Sequence, residues 1–225
     1  DLKDQIIRKQ SECDALAQYQ ACAKAKPAAQ CESLKNVDTD NNGYPMDCSG
    51  WNITTEGAAV PSPMATDDVG HGTHIAGIIA AAANGIGTEG VAQNVTIIPV
   101  KVLKVAPKGP VEPSSTEPNT ATSTPEAVAK GILYAIKNGA QIINISMGWP
   151  QMADSDLTRQ AVQLAQSRGI IIVASAGNDS TDSLVMPCSY EGVVCVAAHG
   201  PDGAIAEFSN FGPTVDVAAP GLNIL

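Results

Sequence analysis

The stretch QIINISMGWPQMADSDLTRQAVQLAQSRGIIIVASAGND, residues 141–179, contains two apolar runs separated by an amphipathic segment. The runs QIINISM and GIIIVASAG are apolar on both faces, which is typical of strands buried on both sides. The intervening segment, Ser155 to Arg168, has apolar residues at helical spacing. Strand, helix and strand in this order predict two parallel strands joined by a helix, an α/β unit.

The flanking sequence extends this pattern in both directions. A helix is predicted from Pro125 to Asn138, the run NVTIIPVKVL upstream is interpreted as a strand, and GVVCVAA downstream as a short strand. These elements predict an α/β fold of three layers, a parallel sheet flanked by helices. Ligands of such folds bind beyond the carboxyl ends of the strands. Residues 146–148 and 175–178 follow two of those ends.

Two segments depart from the pattern. Near the N-terminus, we predict an insertion over about residues 4–66. It begins with a predicted helix over residues 4–25, which Pro27 ends, and continues as a polar segment. This insertion holds four of the six cysteines. Residues 105–125 contain five prolines with many Ser and Thr and predict an exposed loop. With 225 residues and 44% hydrophobic side chains, the chain is expected to form one domain.

Charge and cysteine usage exclude several classes of function. Thirteen basic and 23 acidic side chains give a net charge of −10, so nucleic acid is not an expected partner. The apolar runs fall short of the roughly 20 residues that a bilayer requires, so no membrane span is expected. The six cysteines contain no CxxC pair, which favours disulfides in a secreted or extracytoplasmic protein over zinc.

The stretch DDVGHGTHIAG, residues 67–77, is the first candidate for chemistry. Gly70 and Gly72 allow the backbone to approach its surroundings closely. The apolar residues from His74 to Ala83 predict a helix that is buried on all sides. His71 lies just before this helix, so its side chain could face a cleft and act as a base. Two histidines in an HxxH pattern could instead bind zinc, but no Glu lies between them and no third ligand is evident. We interpret His74 as a neutral imidazole packed in the helix.

Asn178, in ASAGND, is the second candidate. It directly follows an apolar strand and a glycine, so its amide would project into the crevice as a donor suited to a developing oxyanion. Taken alone, an Asn after Gly is usually a turn residue. The neighbouring motifs decide between these interpretations.

Five motifs, DDVGHGTHIAG, GVAQNVTIIPVKVL, IINISMG, ASAGND and DVAAPG, occur in this order and resemble those of the subtilisin-like serine proteases. The resemblance runs from residue 67 to the end with one insertion. It implies a serine endopeptidase in which His71 is the general base of an Asp-His-Ser triad, His74 is structural, and Asn178 lies in the oxyanion hole. The substrate-binding residues that it implies are Ser146, Met147, Gly148, Ser175, Ala176 and Gly177, with Met186-Pro187 near the pocket floor as a candidate cis peptide.

Two members of the triad have no counterpart here. The family's Gly-Thr-Ser-Met-Ala motif would follow DVAAPGLNIL by roughly fifteen residues, and no serine of this chain matches it. The family's aspartate lies upstream of the segment whose end matches Asp1. Asp38 in VDTD is a candidate substitute, but no glycine follows its Thr and its flanks are polar, unlike a buried strand. We therefore expect the middle part of a catalytic domain, inactive by itself, with the triad Ser in a longer or companion chain.

Calcium is the expected cofactor, as a structural ion at two sites. The segment DTDNNGYPMDCSGWNI resembles an acidic loop of larger subtilases, and its alternating oxygens suit calcium, although a surface turn without an ion remains an alternative. The loop ligands would be Asp38, Asp40, Asn42, the Tyr44 carbonyl and Asp47. The family's tight site would use Asp1, the Asn84 side chain and the carbonyls of Ala82, Ile86 and Thr88.

The cysteines and partners complete the expectations. Cys188 and Cys195 could close a small loop near the specificity pocket, whereas Cys13, Cys22, Cys31 and Cys48 allow three pairings. Peptide or protein substrates are the expected partners, with a propeptide of a zymogen or an inhibitor as a further one. The rival hypotheses are a non-catalytic subtilase-like peptide-binding module or inactive homologue, and an HxxH metalloenzyme.

Overall fold

The structure is a computed structural model that describes residues 9–25, 30, 37–42, 44–55, 65–105 and 121–224. The chain forms two compact units, Asp1–Ser123 and Thr124–Leu225. Their boundary falls near the end of the segment that is rich in Pro, Ser and Thr. We describe each unit by itself.

Among its described residues, the first unit has two α-helices and four short strands. These are α1 (Gln10–Ala25), β1 (Trp51–Asn52), α2 (His71–Ala80), β2 (Val100–Lys101), β3 (Lys104–Val105) and β4 (Ala121–Thr122). Strand β1 pairs in parallel with β2, so the described strand within the predicted strand NVTIIPVKVL is Val100–Lys101. Strands β3 and β4 pair antiparallel and close the base of the predicted exposed loop, whose residues 106–120 lie outside the described residues.

Helix α1 packs against the polar segment that follows it. Its Ala15, Leu16 and Tyr19 are buried in one cluster with Met46. A disulfide joins Cys13 to Cys48, and Cys22 is also disulfide-bonded. The predicted helix is therefore confirmed from Gln10 to Ala25, while residues 4–8 lie outside the described residues.

Helix α2 differs from its prediction. It begins at His71 and ends at Ala80, and Ala80 is its one fully buried residue, so the expectation of a helix from His74 to Ala83 that is buried on all sides is wrong. The apolar run alone does not set the start of the helix. The chain turns into it at Gly70, whose φ of 93° belongs to the left-handed region that glycine adopts without strain.

The second unit carries the predicted alternation of helices and strands. Its elements are α3 (Pro125–Lys137), β5 (Ile142–Ile145), β6 (Trp149–Pro150), α4 (Asp156–Ser167), β7 (Ile171–Ser175), β8 (Val185–Met186), β9 (Val194–His199) and β10 (Val217–Pro220). Both helices match their predicted bounds within one residue at each end. The start of α3 is capped by the Thr124 hydroxyl, which accepts a hydrogen bond from the Ala127 amide at 3.2 Å.

Four strands form one parallel sheet in the order β10-β9-β7-β5. Helices α3 and α4 pack against each other, and α4 packs on β7. Ile132, Tyr134, Val162 and Ile172 are fully buried in this unit. The predicted α/β class with a parallel sheet is confirmed.

The register places two predicted substrate segments side by side. Ile145 of β5 lies opposite Ala174 of β7, so Ser146 follows β5 at the same edge of the sheet where β7 ends at Ser175. Strands β6 and β8 form a separate antiparallel pair, which we did not predict. Each of its strands has two residues, too few for a periodic signal.

Among the described residues, no helix combines the length and the apolar character needed to cross a membrane.

Candidate active site

The start of helix α2 is organised by the carboxylate of Asp67. Its Oδ1 accepts hydrogen bonds from the amides of Val69 at 3.1 Å and Gly70 at 2.8 Å. Its Oδ2 accepts from the amide and the hydroxyl of Thr73, at 2.8 Å and 2.7 Å. One side chain therefore fixes the backbone on both sides of His71 and satisfies donors that a helix N-terminus leaves open.

This network also holds Asp67 in its charged form. Partial burial raises the pKa of the carboxyl, but the hydrogen bonds from Thr73, Gly70 and Val69 outweigh it and hold the pKa well below its usual range. A negative charge at a helix N-terminus is further favoured by the helix dipole. Sequence reasoning missed Asp67, although its position a few residues before an apolar helix is a capping signal.

Both imidazoles of the HxxH pair are exposed. Within the described part of the chain, neither ring makes a hydrogen bond, and the His74 amide donates to the Gly70 carbonyl at 2.9 Å as part of the helix. The exposed ring of His74 differs from the packed imidazole that we predicted, because the side chain lies in the first turn of a helix whose N-terminal half is exposed. His71 is available for chemistry at its ring.

The loop after β7 carries Asn178. Its side chain is exposed and makes no hydrogen bond to any described residue, so its amide is available as a donor. Gly177 just before it has a φ of 108°, and a Cβ there would approach the Asn210 amide nitrogen more closely than real Cβ atoms do. Glycine is therefore required at this turn.

The side chain of Asn210 fixes the loop that carries Asn178. It is 2% exposed, and its Nδ2 donates to the Ala176 carbonyl at 2.9 Å. Its Oδ1 accepts from the Asp179 amide at 2.8 Å and from the Thr181 amide at 3.3 Å. A backbone bond from the Asn210 amide to the Gly177 carbonyl, 3.0 Å, adds a fourth contact. These bonds surround Asn178 in sequence and fix the loop that presents it.

The residues predicted to bind substrate line the carboxyl edge of β5 and β7. Ser146 and Met147 are half-buried and Gly148 is exposed; across from them, Ser175 and Gly177 are half-buried and Ala176 is buried. A Cβ on Gly148 would clash with the side chain of Val185 and lie 3.1 Å from the Met186 carbonyl oxygen. Strand β8 therefore packs directly on this segment.

The region behind β8 contains both features expected from the sequence. The Met186-Pro187 peptide is cis, and Cys188 is joined to Cys195 of β9 by a disulfide. Both predictions are confirmed. These features connect β8 to the central sheet.

A polar cluster anchors the turn after β6. The Tyr190 hydroxyl and the Arg159 guanidinium both donate to the carboxylate of Asp154. Burial and this hydrogen bond raise the pKa of Tyr190 above its ordinary value. Burial raises the pKa of Asp154, but the hydrogen bonds from Tyr190, the Ser155 amide and Arg159 outweigh it and lower that pKa. The cluster thus joins α4 to the segment after β8.

The acidic loop of residues 38–47 differs from the predicted ligand set. The Asn42 amide group donates to Asp40 at 3.3 Å and to Asp47 at 2.9 Å, while its Oδ1 accepts from the Tyr44 amide at 2.8 Å. Asn42 therefore turns donors, and not its oxygen, toward the carboxylates. The carboxylate oxygens that do converge belong to Glu12, Asp38 and Asp40, within 4.8 Å of one another.

Lys9 supplies a cation to this loop. Its ammonium lies 2.6 Å from Asp40 and 2.7 Å from Asp47. Burial lowers the pKa of Lys9, but the hydrogen bonds to the two carboxylates outweigh it and raise the pKa above its ordinary value. Glu12, fully buried, accepts from the amide and hydroxyl of Thr39 and, at 2.6 Å, from the Met46 amide. Sequence reasoning missed Lys9 and Glu12, because Lys9 precedes α1 and Glu12 lies in its first turn, both far from the loop in sequence.

The second predicted calcium site is an exposed loop. Ala82 is half-buried, whereas Asn84, Ile86 and Thr88 are exposed, and Asp1 lies outside the described residues. The Asn84 side-chain oxygen accepts from the Ile86 amide at 3.0 Å, and the Asn84 amide donates to the Ala82 carbonyl at 2.9 Å. Two of the predicted ligand oxygens therefore already accept hydrogen bonds within the turn.

Comparison with known proteins identifies relatives over most of the chain. A model of the Peptidase_S8 subtilase family matches residues 35–224. The alkaline protease of Alkalihalobacillus alcalophilus is 37% identical over 174 residues, covering 77% of this chain and 42% of that protein. Subtilisin Savinase of Lederbergia lenta is 36% identical over 174 residues, covering 77% of this chain and 59% of that protein.

Solved structures agree with the sequence relatives. A cold adapted subtilisin-like serine proteinase superposes with a TM-score of 0.61 at 28% identity, covering 78% of this chain and 55% of that chain. The prenylagaramide maturation protease PagA superposes with a TM-score of 0.58 at 30% identity, covering 68% of this chain and 52% of that chain.

The match covers only part of the length of each relative. The chain spans about half the length of the curated relatives it matches. The family model nevertheless covers the segments that carry His71, the predicted substrate-binding residues and Asn178. The chain therefore belongs to the subtilase family.

Proposed function

We propose that this chain is part of a serine endopeptidase that hydrolyses peptide bonds through an Asp-His-Ser triad, of which it supplies His71. One observation carries the proposal above all. Residues 146–148 follow β5 and residues 176–178 follow β7 at the same carboxyl edge of the parallel sheet, which is where ligands of such folds bind.

His71 acts as general base and then as general acid. Its imidazole takes the proton of the nucleophilic serine as the peptide carbonyl is attacked, and later gives it to the leaving amine. The contacts of Asp67 with Val69, Gly70 and Thr73 support this role, because they fix the backbone on both sides of the base. A base held this way loses little orientational freedom at the moment of reaction.

Asn178 stabilises the oxyanion of the tetrahedral intermediate. An exposed amide group with no hydrogen bond to a described residue is free to donate to the charge that develops on the carbonyl oxygen. The loop that carries it is fixed by Asn210 before substrate arrives. Such preorganisation is the physical basis of oxyanion stabilisation.

Peptide or protein chains in extended conformation are the proposed substrates. The segment Ser146 to Gly148 follows β5 and would add a substrate strand through backbone hydrogen bonds. Residues 175–177 form the opposite wall of the pocket for the side chain that precedes the cleaved bond. A non-catalytic peptide-binding module would bind its peptide through these same two segments, since both lie within the second unit.

Covalent labelling separates the protease from the binding module. We would treat the native protein with a serine-directed fluorophosphonate probe and measure intact masses of the labelled species, with a His71→Ala variant as control. A protease is expected to label one serine on a longer or companion chain, with the His71→Ala variant labelling far more slowly. A protein that binds peptides, contains all chains of the native complex and never labels would establish the binding module and overturn our proposal.

We propose structural calcium in the loop of residues 82–88. Backbone and side-chain oxygens fit calcium, which prefers oxygen ligands at about 2.3–2.6 Å. In the acidic loop, Lys9 competes with an ion, because its ammonium already neutralises Asp40 and Asp47. Thermal unfolding with calcium and with a chelator would test both loops: Asn84→Ala should abolish the stabilisation, whereas Asp40→Asn should leave most of it. The opposite result would assign the ion to the acidic loop.

Secretion and zymogen processing complete the proposal. The disulfides Cys13–Cys48 and Cys188–Cys195 are typical of proteins that fold outside a reducing cytosol. A relative from Bacillus subtilis, 36% identical over 159 residues, is named minor extracellular protease Epr. We propose that the mature protein is secreted and made as a zymogen, with a propeptide or an inhibitor as partner. Fractionation of the source culture with an antibody to this chain would test the location.

A further inference from the structure

The side chain of Val185 lies between the two walls of the proposed substrate pocket. A Cβ atom on Gly148 would lie less than 3.0 Å from Val185 Cγ1, and one on Gly177 would lie 3.6 Å from Val185 Cγ2. Each methyl group of Val185 is therefore directed to one wall. The nearest wall residues are glycines, which leave the space to the valine.

The backbone of Val185 is fixed at this place. It lies in β8, where it pairs with Pro150 of β6. Its amide donates to the Ser189 hydroxyl at 3.2 Å, and its carbonyl accepts from the Ser189 amide at 2.9 Å. A branched side chain on a fixed strand has few alternative rotamers, so it cannot easily turn out of the gap.

The chemistry of the surrounding residues is uniform. The walls consist of Ser146, Met147 and Gly148 on one side and Ser175, Ala176 and Gly177 on the other. Neither wall contains a charged residue, and the Val185 side chain between the walls is apolar. A ligand group that enters finds no charged partner on either wall, and the methyl groups of Val185 leave it little room.

We propose that Val185 limits the size of the side chain that precedes the cleaved bond, so that this pocket takes Ala, Gly or Ser and rejects aromatic and long aliphatic residues. The inference rests on the proposed peptidase function and names its substrate class. Val185 acts by occupying volume. Replacing it with a smaller residue should therefore change specificity more than rate on small substrates.

Cleavage-site profiling of the complete protein tests this inference. We would digest a peptide library that varies only the residue before the cleaved bond and compare kcat/KM for Ala and Phe by mass spectrometry. The wild type is expected to favour Ala, and Val185→Gly to raise kcat/KM for Phe relative to Ala by about tenfold or more, the range for extra methylene groups in an apolar pocket. Val185→Ala should shift the ratio in the same direction and guards against poor folding of the Gly variant.

A matched control comes from the neighbouring residue. Leu184 is exposed and is not among the atoms nearest to Gly148 or Gly177, and its carbonyl accepts from the Gln151 amide through the backbone. Leu184→Ala should therefore leave the ratio unchanged. A wild-type preference for Phe, or an unchanged ratio in folded Val185→Gly and Val185→Ala, would overturn the inference while leaving the peptidase function intact.

A binding measurement separates failure of the pocket from failure of the activity. Product-like peptides ending in Ala or Phe would be titrated into the complete protein, with NMR shifts of the Gly148 and Gly177 amides as readout. Selective binding of the Ala peptide, reversed in Val185→Gly, supports the pocket even if no peptide is cleaved, which would reject only the peptidase. Absence of both cleavage and binding would overturn both.

Discussion

Asn210 holds Asn178 in place through the residues on either side of it. The amide of Asn210 donates to the Ala176 carbonyl, and its oxygen accepts from the Asp179 amide, so the two ends of one buried side chain bracket the exposed Asn178. Asn210 is a positioning residue in this arrangement. Its side chain is buried, so in our proposal it acts by fixing the position of Asn178.

Removing the hydrogen bonds that Asn210 makes on either side of Asn178 should slow the reaction more than it weakens substrate binding. We expect Asn210→Asp to lower kcat by at least about tenfold with a smaller change in KM, since a carboxylate cannot donate to the Ala176 carbonyl. Leaving buried polar groups unpaired should also cost about 1–3 kcal/mol of the free energy of unfolding. Steady-state kinetics and urea unfolding measure the two effects. Gln163→Ala, at an exposed position of α4, is the control and should change neither.

Replacing the donor itself should have a larger effect. Asn178→Ala is expected to lower kcat by about 10²–10³, a magnitude established for an oxyanion-hole asparagine in subtilisin, a relative of this chain. If Asn210 acts only by positioning Asn178, the double variant should be no slower in kcat than Asn178→Ala. Additive losses in kcat would show that Asn210 has a separate role.

The two histidines of the HxxH pair should differ in kind. His71→Ala is expected to abolish hydrolysis in the complete protein, whereas His74→Ala should keep most of kcat, because its exposed ring makes no hydrogen bond to the described residues. Activity assays together with circular dichroism of both variants check this. Equal loss of hydrolysis in two folded variants would contradict the assignment of roles.

The start of α2 should depend on the charge of Asp67. The folded state lowers the pKa of this carboxyl, so its contribution to stability is fully present above the ordinary aspartate pKa of about 3.9 and is lost as pH falls below it toward the folded value. Asp67→Asn should mimic that loss at neutral pH by weakening the bonds to Gly70 and Thr73. Amide exchange at Thr73 should become faster in this variant.

The neighbouring carboxylate provides the control for Asp67. Asp68 is also exposed but pairs with Lys101, and it is not a partner of the Thr73 amide. Asp68→Asn should therefore leave exchange at Thr73 unchanged. Faster exchange in both variants would mean that overall charge, and not the specific network of Asp67, stabilises the helix start.

The acidic loop should gain affinity for calcium when Lys9 is removed. Lys9→Gln withdraws the ammonium that lies beside Asp40 and Asp47 and leaves their charges unbalanced. Isothermal titration is expected to show calcium binding at least about tenfold tighter than in the wild type, a gain reversed by a second change, Asp40→Asn. Unchanged affinity in Lys9→Gln would show that the loop does not bind the ion even when its own cation is absent.

The sequence by itself determined the local elements and the identity of the family. Helices α3 and α4 and strands β5, β7 and β9 follow from apolar periodicity and their flanking residues, which act over a few positions of the chain. The candidate roles of His71 and Asn178 came from the order of five motifs. The cis Met186-Pro187 peptide and the Cys188–Cys195 disulfide were also expected from sequence and are present.

The tertiary structure decided which distant residues support those motifs. Asn210 bonds to the Asn178 loop from 31 residues away, Lys9 reaches Asp47 across 38, and Val185 enters the gap between two walls on separate strands. Such contacts leave no periodic signal, because they depend on how the chain returns to a strand edge or helix and not on its local conformation. The exposure of His74 has the same origin, since the packing around a helix, and not its composition alone, fixes what it buries.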